Sequence, residues 1–512
     1  MSAVRPRSLP ELMGTLANEN FIHIFQQLDD PKDLFHVVQT CTLFRNLAIR
    51  ELYKHIRYTD TTSFKSNNSF WRGREDNMHE MPISVSFDGT LPLDKIRPLG
   101  AHHISIWARL LSFTSLDTLS FANCALPESE SVCYLLGGMP NLRTLSFKQC
   151  VFVETPIPLC NGYGRFSGLP ITDLTLLYNR TYHTIPAGDD HTFPAEGVMP
   201  HLQFTTSASL RSLTISWDTT VSSFFANDSR EYSFSAALDK VNIHFSDPFP
   251  DAGHPLLDVN EAMRQHLGKF LRDECGGITE LGLHSTELFV VGDIDCGDLS
   301  HLEKYTGPVA LVRSITGPLQ ELAMRDLDLD VGKVIPALEA VAARRPNLGK
   351  LDITVISWDI EILYAVSQLF SDLRGLRIKY HDGYPDEAAI LSMSSIFFHR
   401  FVNMTTLHIY NPQVPVRRYV YDDEEMWIDP PSPVMLPERE YELGPSASED
   451  VLDLMMGWIK TCPNLTEMKW EKDRTLMRTS TSSEDKWYFK DDPQPKADES
   501  LSDHMMWYSR AY

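Results

Sequence analysis

The chain has 512 residues, enough for several hydrophobic cores, and its 43% hydrophobic and 22% charged residues are ordinary for a globular protein. Its 69 Asp and Glu residues against 46 Lys and Arg give a net charge of −23, which argues against general binding to nucleic acid or to an anionic membrane. The eight cysteines form no C-x-x-C pair, so we expect no metal site, no cofactor and no disulfide framework.

Cysteine usage of this kind suits a reducing compartment, so the expected location is the cytoplasm or the nucleus. The N-terminus lacks the apolar stretch of a signal peptide, and no apolar run approaches the ~18 residues that a membrane span needs. These observations exclude neither a binding protein nor an enzyme that acts on soluble partners.

The first predicted elements are three short helices that make up a small module at residues 9–57. Phe21, Ile24, Phe25 and Leu28 carry the i, i+3, i+4, i+7 spacing of an amphipathic helix, and two further stripes follow. Asp30 followed by Pro31 predicts the start of the second helix, because Asp caps a helix and Pro is tolerated in its first turn. Some 40 residues would be marginally stable alone, so the module needs another surface to cover its apolar side chains.

An apolar triplet spaced L-x-x-L-x-L then recurs eleven times along the chain. The copies begin at residues 116, 142, 171, 210, 238, 278, 319, 348, 373, 404 and 465. Amphipathic helical patterns lie between several copies, at 132–139, 263–271, 334–342, 362–370 and 451–459. A short strand, a helix and the same strand again predict an α/β fold with a parallel sheet, whose units must stack because one unit cannot bury its apolar side alone.

The first copies extend to L-x-x-L-x-L-x-x-[NC]-x-L, with Cys124, Cys150 and Asn179 in the Asn/Cys position. In this respect the chain resembles the leucine-rich-repeat family. The resemblance implies a solenoid with a curved parallel sheet, in which that residue is buried and bonds the backbone of neighbouring repeats. Later copies place other residues there, which implies an irregular solenoid; the alternative is an ordinary α/β structure in which the spacing recurs by chance.

The helical module itself resembles an F-box. The matching residues are Leu16, Glu19, Ile24, Phe25, Leu28, Asp30, Asp33, Leu34, Cys41, Phe44, Arg45 and Leu47, with Ala17 where Pro is usual. The resemblance implies the substrate-recognition subunit of an SCF-type cullin–RING ubiquitin ligase, with an F-box that binds a Skp-type adaptor. It implies adaptor contacts at Leu16, Ile24, Phe25, Leu28, Leu34 and Cys41. The alternative is that these helices only cover the end of the solenoid.

Polar residues between the apolar ones of each strand are predicted to share one face of the sheet. In the later repeats this face collects cations and aromatic residues, which on an acidic protein would attract an acidic segment of a substrate. The predicted substrate-binding residues are Arg325, Lys350, Arg377, Lys379, His408 and Tyr410.

The predicted domain order is the helical module at 9–57, the solenoid at 58–410, an acidic Pro-rich loop at 411–447, a last repeat at 448–471 and a polar tail at 472–512. No catalytic motif such as G-x-S-x-G, H-E-x-x-H or a P-loop is present, so no catalytic residue is predicted and we expect a protein that is not an enzyme. A leucine-rich-repeat scaffold without a role in ubiquitin transfer is the second functional hypothesis.

Overall fold

A computed structural model describes about three fifths of the chain, in two compact units. One unit consists of Met1–Ile278 with Asp295–Gly297, and the other of Thr279–Ile294 with Asp298–Tyr512. The described residues are 18–28, 30–59, 78–89, 109–127, 129–154, 166–183, 200–226, 234–245, 256–284, 294–297, 299–326, 329–344, 348–383, 385, 392–393, 396–412, 458, 460–469, 475–481 and 484–490.

Three helices open the first unit: α1 (Asn18–Gln26), α2 (Pro31–Thr40) and α3 (Thr42–Lys54). The predicted cap of α2 is present, since the side chain of Asp30 accepts a hydrogen bond from the backbone N–H of Lys32 at 2.8 Å. No linker separates this module from the sheet, because strand β1 begins at His55, directly after α3. The module boundary predicted at residue 57 therefore falls inside β1.

Seven strands of the first unit that the structure describes form a parallel sheet. Its order is β1 (His55–Tyr58), β2 (Ser84–Asp88), β3 (Thr118–Ala122), β5 (Thr144–Lys148), β7 (Asp173–Leu177), β9 (Ser212–Trp217) and β10 (Lys240–Phe245). The predicted triplets lie side by side in register: Leu119 pairs with Leu145, Leu145 with Leu174 and Leu174 with Leu213. Alternate residues of β2 and β3 are buried, as the period-2 pattern predicts.

A series of stacked aromatic rings runs through the core beneath β1 to β5. The ring centroids of Tyr58 and Phe87 lie 5.2 Å apart, those of Phe87 and Phe121 5.1 Å, and those of Phe121 and Phe147 5.6 Å. Each ring comes from the same position of its strand, since parallel register places equivalent residues next to each other. This regularity shows that β1 and β2, which no predicted triplet marked, continue the same pattern.

Three short strands, each directly after β3, β5 or β7 in the chain, form a second parallel sheet. They are β4 (Ala125–Leu126), β6 (Val151–Glu154) and β8 (Arg180–His183). The residue at each turn into these strands, Asn123, Gln149 or Tyr178, has a positive φ between 53° and 55°. The next residue is buried in each case and bonds the backbone of an earlier strand. Asn179 accepts from the N–H of Cys150 and donates to the carbonyl oxygen of Phe147, both at 3.0 Å.

Among the described residues of the first unit, α4 (Ser129–Leu136) and α5 (Thr219–Ala226) connect strands, and α6 (Leu256–Glu274) follows β10. Short 3₁₀ turns lie at Met78–Glu80 and Pro200–Thr206. The predicted helices at 132–139 and 263–271 are confirmed by α4 and α6. Asp218, which stands in the Asn/Cys position of its repeat, instead begins α5, since it accepts from the N–H groups of Thr220 and Val221 at 2.9 and 2.8 Å.

The second unit has its own series of strands. Their order is β11 (Glu280–His284), β12 (Lys304–Gly307), β13 (Glu321–Met324), β14 (Lys350–Ser357), β15 (Gly375–Asp382), β16 (Thr406–Tyr410), β17 (Glu467–Lys469), β18 (Thr475–Thr481) and β19 (Glu484–Phe489). The first seven are parallel and hold the triplets in register, with Leu351 opposite Leu376, Leu376 opposite Leu407 and Leu407 opposite Met468.

The connections of the second unit contain α7 (Val309–Val312), α8 (Val331–Arg344), α9 (Ile360–Leu369) and a 3₁₀ turn at Phe398–Arg400. The predicted helices at 334–342 and 362–370 are confirmed by α8 and α9. All but the first two residues of the acidic loop predicted at 411–447, and most of the helix predicted at 451–459, lie outside the described residues.

The last two strands reverse the chain direction. β17 pairs antiparallel with β18, and β18 pairs antiparallel with β19. Part of the segment predicted as a polar tail at 472–512 is therefore ordered as a β-hairpin. The predicted α/β class, the N-terminal helices and a mostly parallel sheet are confirmed.

Candidate functional site

The helical module has a small core of its own, built around one aromatic residue of α3. Phe21, Phe25, Leu34 and Ala48 are buried there. The ring centroid of Phe44 lies 5.1 Å from that of Phe21 and 5.3 Å from that of Phe25, so α1 and α3 are held together by aromatic contacts.

Cys41 forms the junction between α2 and α3. Cys41 stands between the two helices in an extended conformation (φ −157°, ψ 168°). Its Sγ accepts a hydrogen bond from the N–H of Phe44 at 3.5 Å, which satisfies one of the free N–H groups at the start of α3. Cys41 is half-buried.

The structure separates the predicted adaptor contacts into core and surface residues. Phe25 and Leu34 are only 4% and 7% exposed, so they support the module from inside and are not available as direct contacts. Leu28 is half-buried against the core, and Ile24 is 50% exposed. Leu16 lies outside the described residues.

Two exposed apolar residues of the module were missed by sequence reasoning. Phe35 on α2 is 50% exposed and Leu43 on α3 is 40% exposed. Phe35 directly follows Leu34, and Leu43 directly precedes Phe44, where Leu34 and Phe44 belong to the stripes that pack inward. Phe35 and Leu43 therefore lie on the solvent-facing side of their helices. Large apolar residues outside the buried stripe were the available signal, because solvent-facing helix positions are usually polar.

The polar residues of the second unit line up across strands β12 to β17, on the side of each strand opposite the buried triplets; this surface is called the charged strand face below. One line of paired residues contains Asp352, Arg377, His408 and Lys469. The neighbouring lines contain Lys304, Glu321, Lys350 and Glu467 on one side and Thr354, Lys379 and Tyr410 on the other. Arg325 directly follows β13 and reaches this face through its contact with Asp352.

One carboxylate lies at the centre of this face. Oδ2 of Asp352 is 2.7 Å from Arg325, 3.3 Å from Arg377 and 3.9 Å from Lys379. Its other oxygen, Oδ1, is buried and has no hydrogen-bond partner, and the same holds for Oγ1 of Thr354. A single negative charge therefore stands against three positive ones within 4 Å.

A fourth cation lies beside this group. Nζ of Lys469 is 4.8 Å from the centre of the Tyr410 ring, a cation–π contact. We refer to Arg325, Arg377, Lys379 and Lys469, with Asp352, as the cationic cluster.

Electrostatics at Lys379 reflect the excess of positive charge. Burial lowers the pKa of Lys379, Asp352 raises it, and the nearby guanidinium groups and the ammonium group of Lys469 lower it again. Burial likewise raises the pKa of Tyr410, which stays a neutral phenol at the edge of the cluster.

His408 is 5% exposed and joins the cluster to the next strand. Its Nδ1 accepts from Nε of Arg377 at 3.2 Å, and its Nε2 lies 3.0 Å from Oε1 of Glu467. The neutral tautomer with hydrogen on Nε2 satisfies both partners. Burial lowers the pKa of His408, and Arg377 and Lys469 act in the same direction, whereas Glu467 raises it.

All six predicted substrate-binding residues lie on the charged strand face. Arg325, Arg377 and Lys379 belong to the cationic cluster, and His408 and Tyr410 contact it. Lys350 differs, because its Nζ pairs with Oε1 of Glu321 at 3.0 Å and is the most exposed cation of the face. Lys469 was predicted on this face, but Glu321 and Glu467 were not, because strand register alone reveals which opposite charges become neighbours.

No cluster of three or more His, Cys, Asp or Glu side chains among the described residues is arranged to hold a metal ion. Within that same part of the chain, every helix is too short or too polar to cross a bilayer.

Comparison with protein families matches residues 18–59 to the F-box-like family, so this segment is an F-box-like domain. Such a domain indicates a role in protein–protein interaction. A comparison with curated proteins finds no match. Among 54 solved chains that match is the crystal structure of a TLR13–ssRNA13 complex, with 11% identity and a TM-score of 0.26. The alignment covers 71% of this chain and 52% of that one, about half its length; a score this low does not establish a shared fold.

Proposed function

We propose that this protein is the substrate-recognition subunit of an SCF-type cullin–RING ubiquitin ligase. The F-box-like domain binds a Skp-type adaptor, and the strands that follow belong to an irregular leucine-rich-repeat solenoid that binds the substrate. The match of residues 18–59 to the F-box-like family carries the proposal. The role is not enzymatic, because the ligase chemistry takes place on other subunits, and its place is the cytoplasm or the nucleus.

The surface of the module supports adaptor binding. Ile24, Phe35 and Leu43 expose apolar side chains on three successive helices, around a core that needs none of them. Full burial of one such side chain at an interface contributes about 1.5–3 kcal/mol. A protein partner that covers these residues would therefore bind with useful affinity and stabilise a module that has few core residues of its own.

The repeat interpretation is supported by what successive strands share. Within each unit, equivalent apolar residues lie opposite each other, and the turns after β3, β5 and β7 repeat one backbone conformation. The Asn/Cys residue after each of these turns reaches an earlier strand. A series of equivalent strands presents a broad face of polar residues, which suits recognition of a polypeptide.

Co-purification with the adaptor tests the proposal. The full chain is co-expressed with a Skp-type adaptor and captured through a tag on the adaptor. We expect a stoichiometric complex that is lost in Ile24→Asp and Phe35→Asp, because a charge in a buried apolar interface costs several kcal/mol. The matched control is Val402→Asp, which changes a 61% exposed apolar residue of the other unit and is expected to keep the complex.

A folded, soluble chain that never captures the adaptor would overturn the proposal. That result would favour the second candidate, a leucine-rich-repeat scaffold with no role in ubiquitin transfer. Circular dichroism of each variant separates loss of binding from loss of folding, and the exposed positions were chosen so that the module's core stays intact.

A further inference from the structure

Among the residues that the structure describes, the cationic cluster is incompletely neutralised. It contains four cations, Arg325, Arg377, Lys379 and Lys469, and a single carboxylate in contact with the first three. The whole chain carries a net charge of −23, so this concentration of positive charge runs against its overall composition. Isolated surface cations would be unremarkable, but here several are held on one rigid sheet by strand pairing.

The cluster is reachable and still has donors to offer. The side chains of Arg325 and Arg377 are 36% and 42% exposed. A guanidinium group has five N–H donors, and the contacts of Arg325 with Asp352 use a minority of them. An incoming carboxylate would meet guanidinium groups that are already oriented, which reduces the entropy lost on binding.

The dimensions favour a chain over a small ion. The strands that carry the cations run from β13 to β17, four spacings of ~4.8 Å or roughly 19 Å, although the charged groups of Arg325, Arg377 and Lys379 converge on Asp352. A single inorganic anion covers a fraction of that distance, whereas a peptide of six to eight residues, as an order-of-magnitude length, spans it. Nucleic acid is disfavoured, because the acidic remainder of the protein repels a dense polyanion more strongly than a short peptide with a few carboxylates.

We infer that the cationic cluster binds an acidic peptide segment, whose Asp or Glu carboxylates pair with Arg325, Arg377, Lys379 and Lys469 and compete with Asp352 for them. Tyr410 and the Lys469 side chain that covers its ring form the edge of this site. The inference rests on the proposed function in that the segment belongs to the recognised substrate, but the site would bind such a peptide in a scaffold as well.

Asp352 acts here as an internal competitor of the peptide. Replacing it by Asn removes the one carboxylate that the described part of the chain places in contact with three of the cations, so the variant should bind an external carboxylate more tightly. The same change should lower the stability of the chain, because Lys379 is half-buried and loses its counter-charge. Affinity and stability are thus expected to move in opposite directions, which a general loss of structure cannot imitate.

The test is fluorescence anisotropy of the full chain with a labelled eight-residue peptide of alternating Glu and Ser. A second peptide carries Gln at each Glu position, a third phosphoserine with Gln, and a single-stranded oligonucleotide serves as another polyanion. We expect binding of the Glu peptide that is weakened roughly tenfold by Arg377→Gln and by Lys469→Gln, and strengthened several-fold by Asp352→Asn. Arg313→Gln removes an exposed cation that directly follows α7 and is expected to leave the affinity unchanged.

The inference is overturned if the Glu and Gln peptides bind alike, if Arg313→Gln weakens binding as much as Arg377→Gln, or if Asp352→Asn leaves the affinity unchanged. Binding restricted to the phosphoserine peptide, or tighter binding of the oligonucleotide, would also contradict it. The adaptor pull-down is run on the same variants. Peptide binding without adaptor capture would contradict the ligase proposal alone, and adaptor capture without peptide binding would contradict this inference alone.

Discussion

Nε of Arg377 donates a hydrogen bond to Nδ1 of His408 across 3.2 Å, and this contact fixes the tautomer of a buried histidine. With Nδ1 occupied as an acceptor, the proton lies on Nε2 and is donated to Glu467. Protonation of Nδ1 would replace the Arg377 hydrogen bond with repulsion between two cations. The geometry therefore holds His408 in the neutral form.

The stability of the protein is expected to fall between neutral and mildly acidic pH because of His408. Burial lowers the pKa of His408 below the ordinary value of 6.5, so the unfolded state takes up the proton first. The contribution is complete above the ordinary pKa and is lost as the pH falls through the folded-state pKa. Arg377, Glu467 and Lys469 are the charged groups that face the ring.

Urea unfolding at a series of pH values from 7.5 to about 5 measures this effect. As the pH falls, the free energy of unfolding should decrease more steeply in the wild type than in His408→Gln. Replacement of the exposed His399 by Gln is the control for removing a histidine elsewhere. Parallel curves for the wild type and His408→Gln would refute the prediction.

Asn179→Ala is expected to destabilise the first unit by about 2–4 kcal/mol. The substitution leaves the N–H of Cys150 and the carbonyl oxygen of Phe147 buried without partners, and each such group costs about 1–3 kcal/mol. The measurement is the midpoint of chemical unfolding. Asn403→Ala, which removes an exposed amide bonded to Asp372 at 3.3 Å, should cost under about 0.5 kcal/mol; equal costs at the two positions would contradict the argument.

Gly317→Ala is expected to be far more harmful than alanine at another turn glycine. A Cβ at residue 317 would lie 2.5 to 2.7 Å from backbone atoms of Leu299 and Leu302, which cannot move without displacing the chain before β12. Overpacking of this kind costs about 1–3 kcal/mol. A Cβ at Gly276 meets nothing within 4 Å, so Gly276→Ala should change the melting temperature little; similar losses at both positions would show that the crowding is not real.

Cys41 provides a chemical probe of the proposed adaptor interface. Of the seven cysteines that the structure describes, Cys41 is half-buried and the other six are buried. In a Cys160→Ser background, a maleimide should label Cys41 first, and bound Skp-type adaptor should slow that labelling several-fold, because an interface residue loses access to reagent. A labelling rate unaffected by a demonstrated complex would remove Cys41 from the interface.

The repeat pattern was predictable because it depends on local spacing. Leu145, Leu174 and Leu213 face the core for the same reason, the two-residue period of a strand, and one parallel register aligns them. The strands β1, β2 and β12 escaped this reasoning. β12, for example, ends its pattern with Gly307 in place of a large apolar residue.

The sequence predicts which residues of the candidate sites share a face, but not which of them contact each other, because those contacts depend on the tertiary structure. Period two places Arg377 and His408 on one face, but their hydrogen bond depends on the register of β15 and β16. Glu467, the other partner of His408, lies 59 residues along the chain, too far for a local pattern to reveal. In the helical module, the helical spacing of apolar residues places Phe25 on the apolar side of α1. The spacing does not tell whether that side chain is buried in the core of the module or contacts a partner protein.

The strands β15, β16 and β17 keep the same register although the segments that connect them differ in length. Leu376 and Leu407 are 31 residues apart, and Leu407 and Met468 are 61 apart, yet both pairs sit directly opposite each other. Because doubling the length of a connecting segment adds only about 0.6 kcal/mol of closure entropy, this junction is a natural place for insertion or deletion. Foreign peptides or whole reporter domains could be grafted there while the strands on either side keep their pairing.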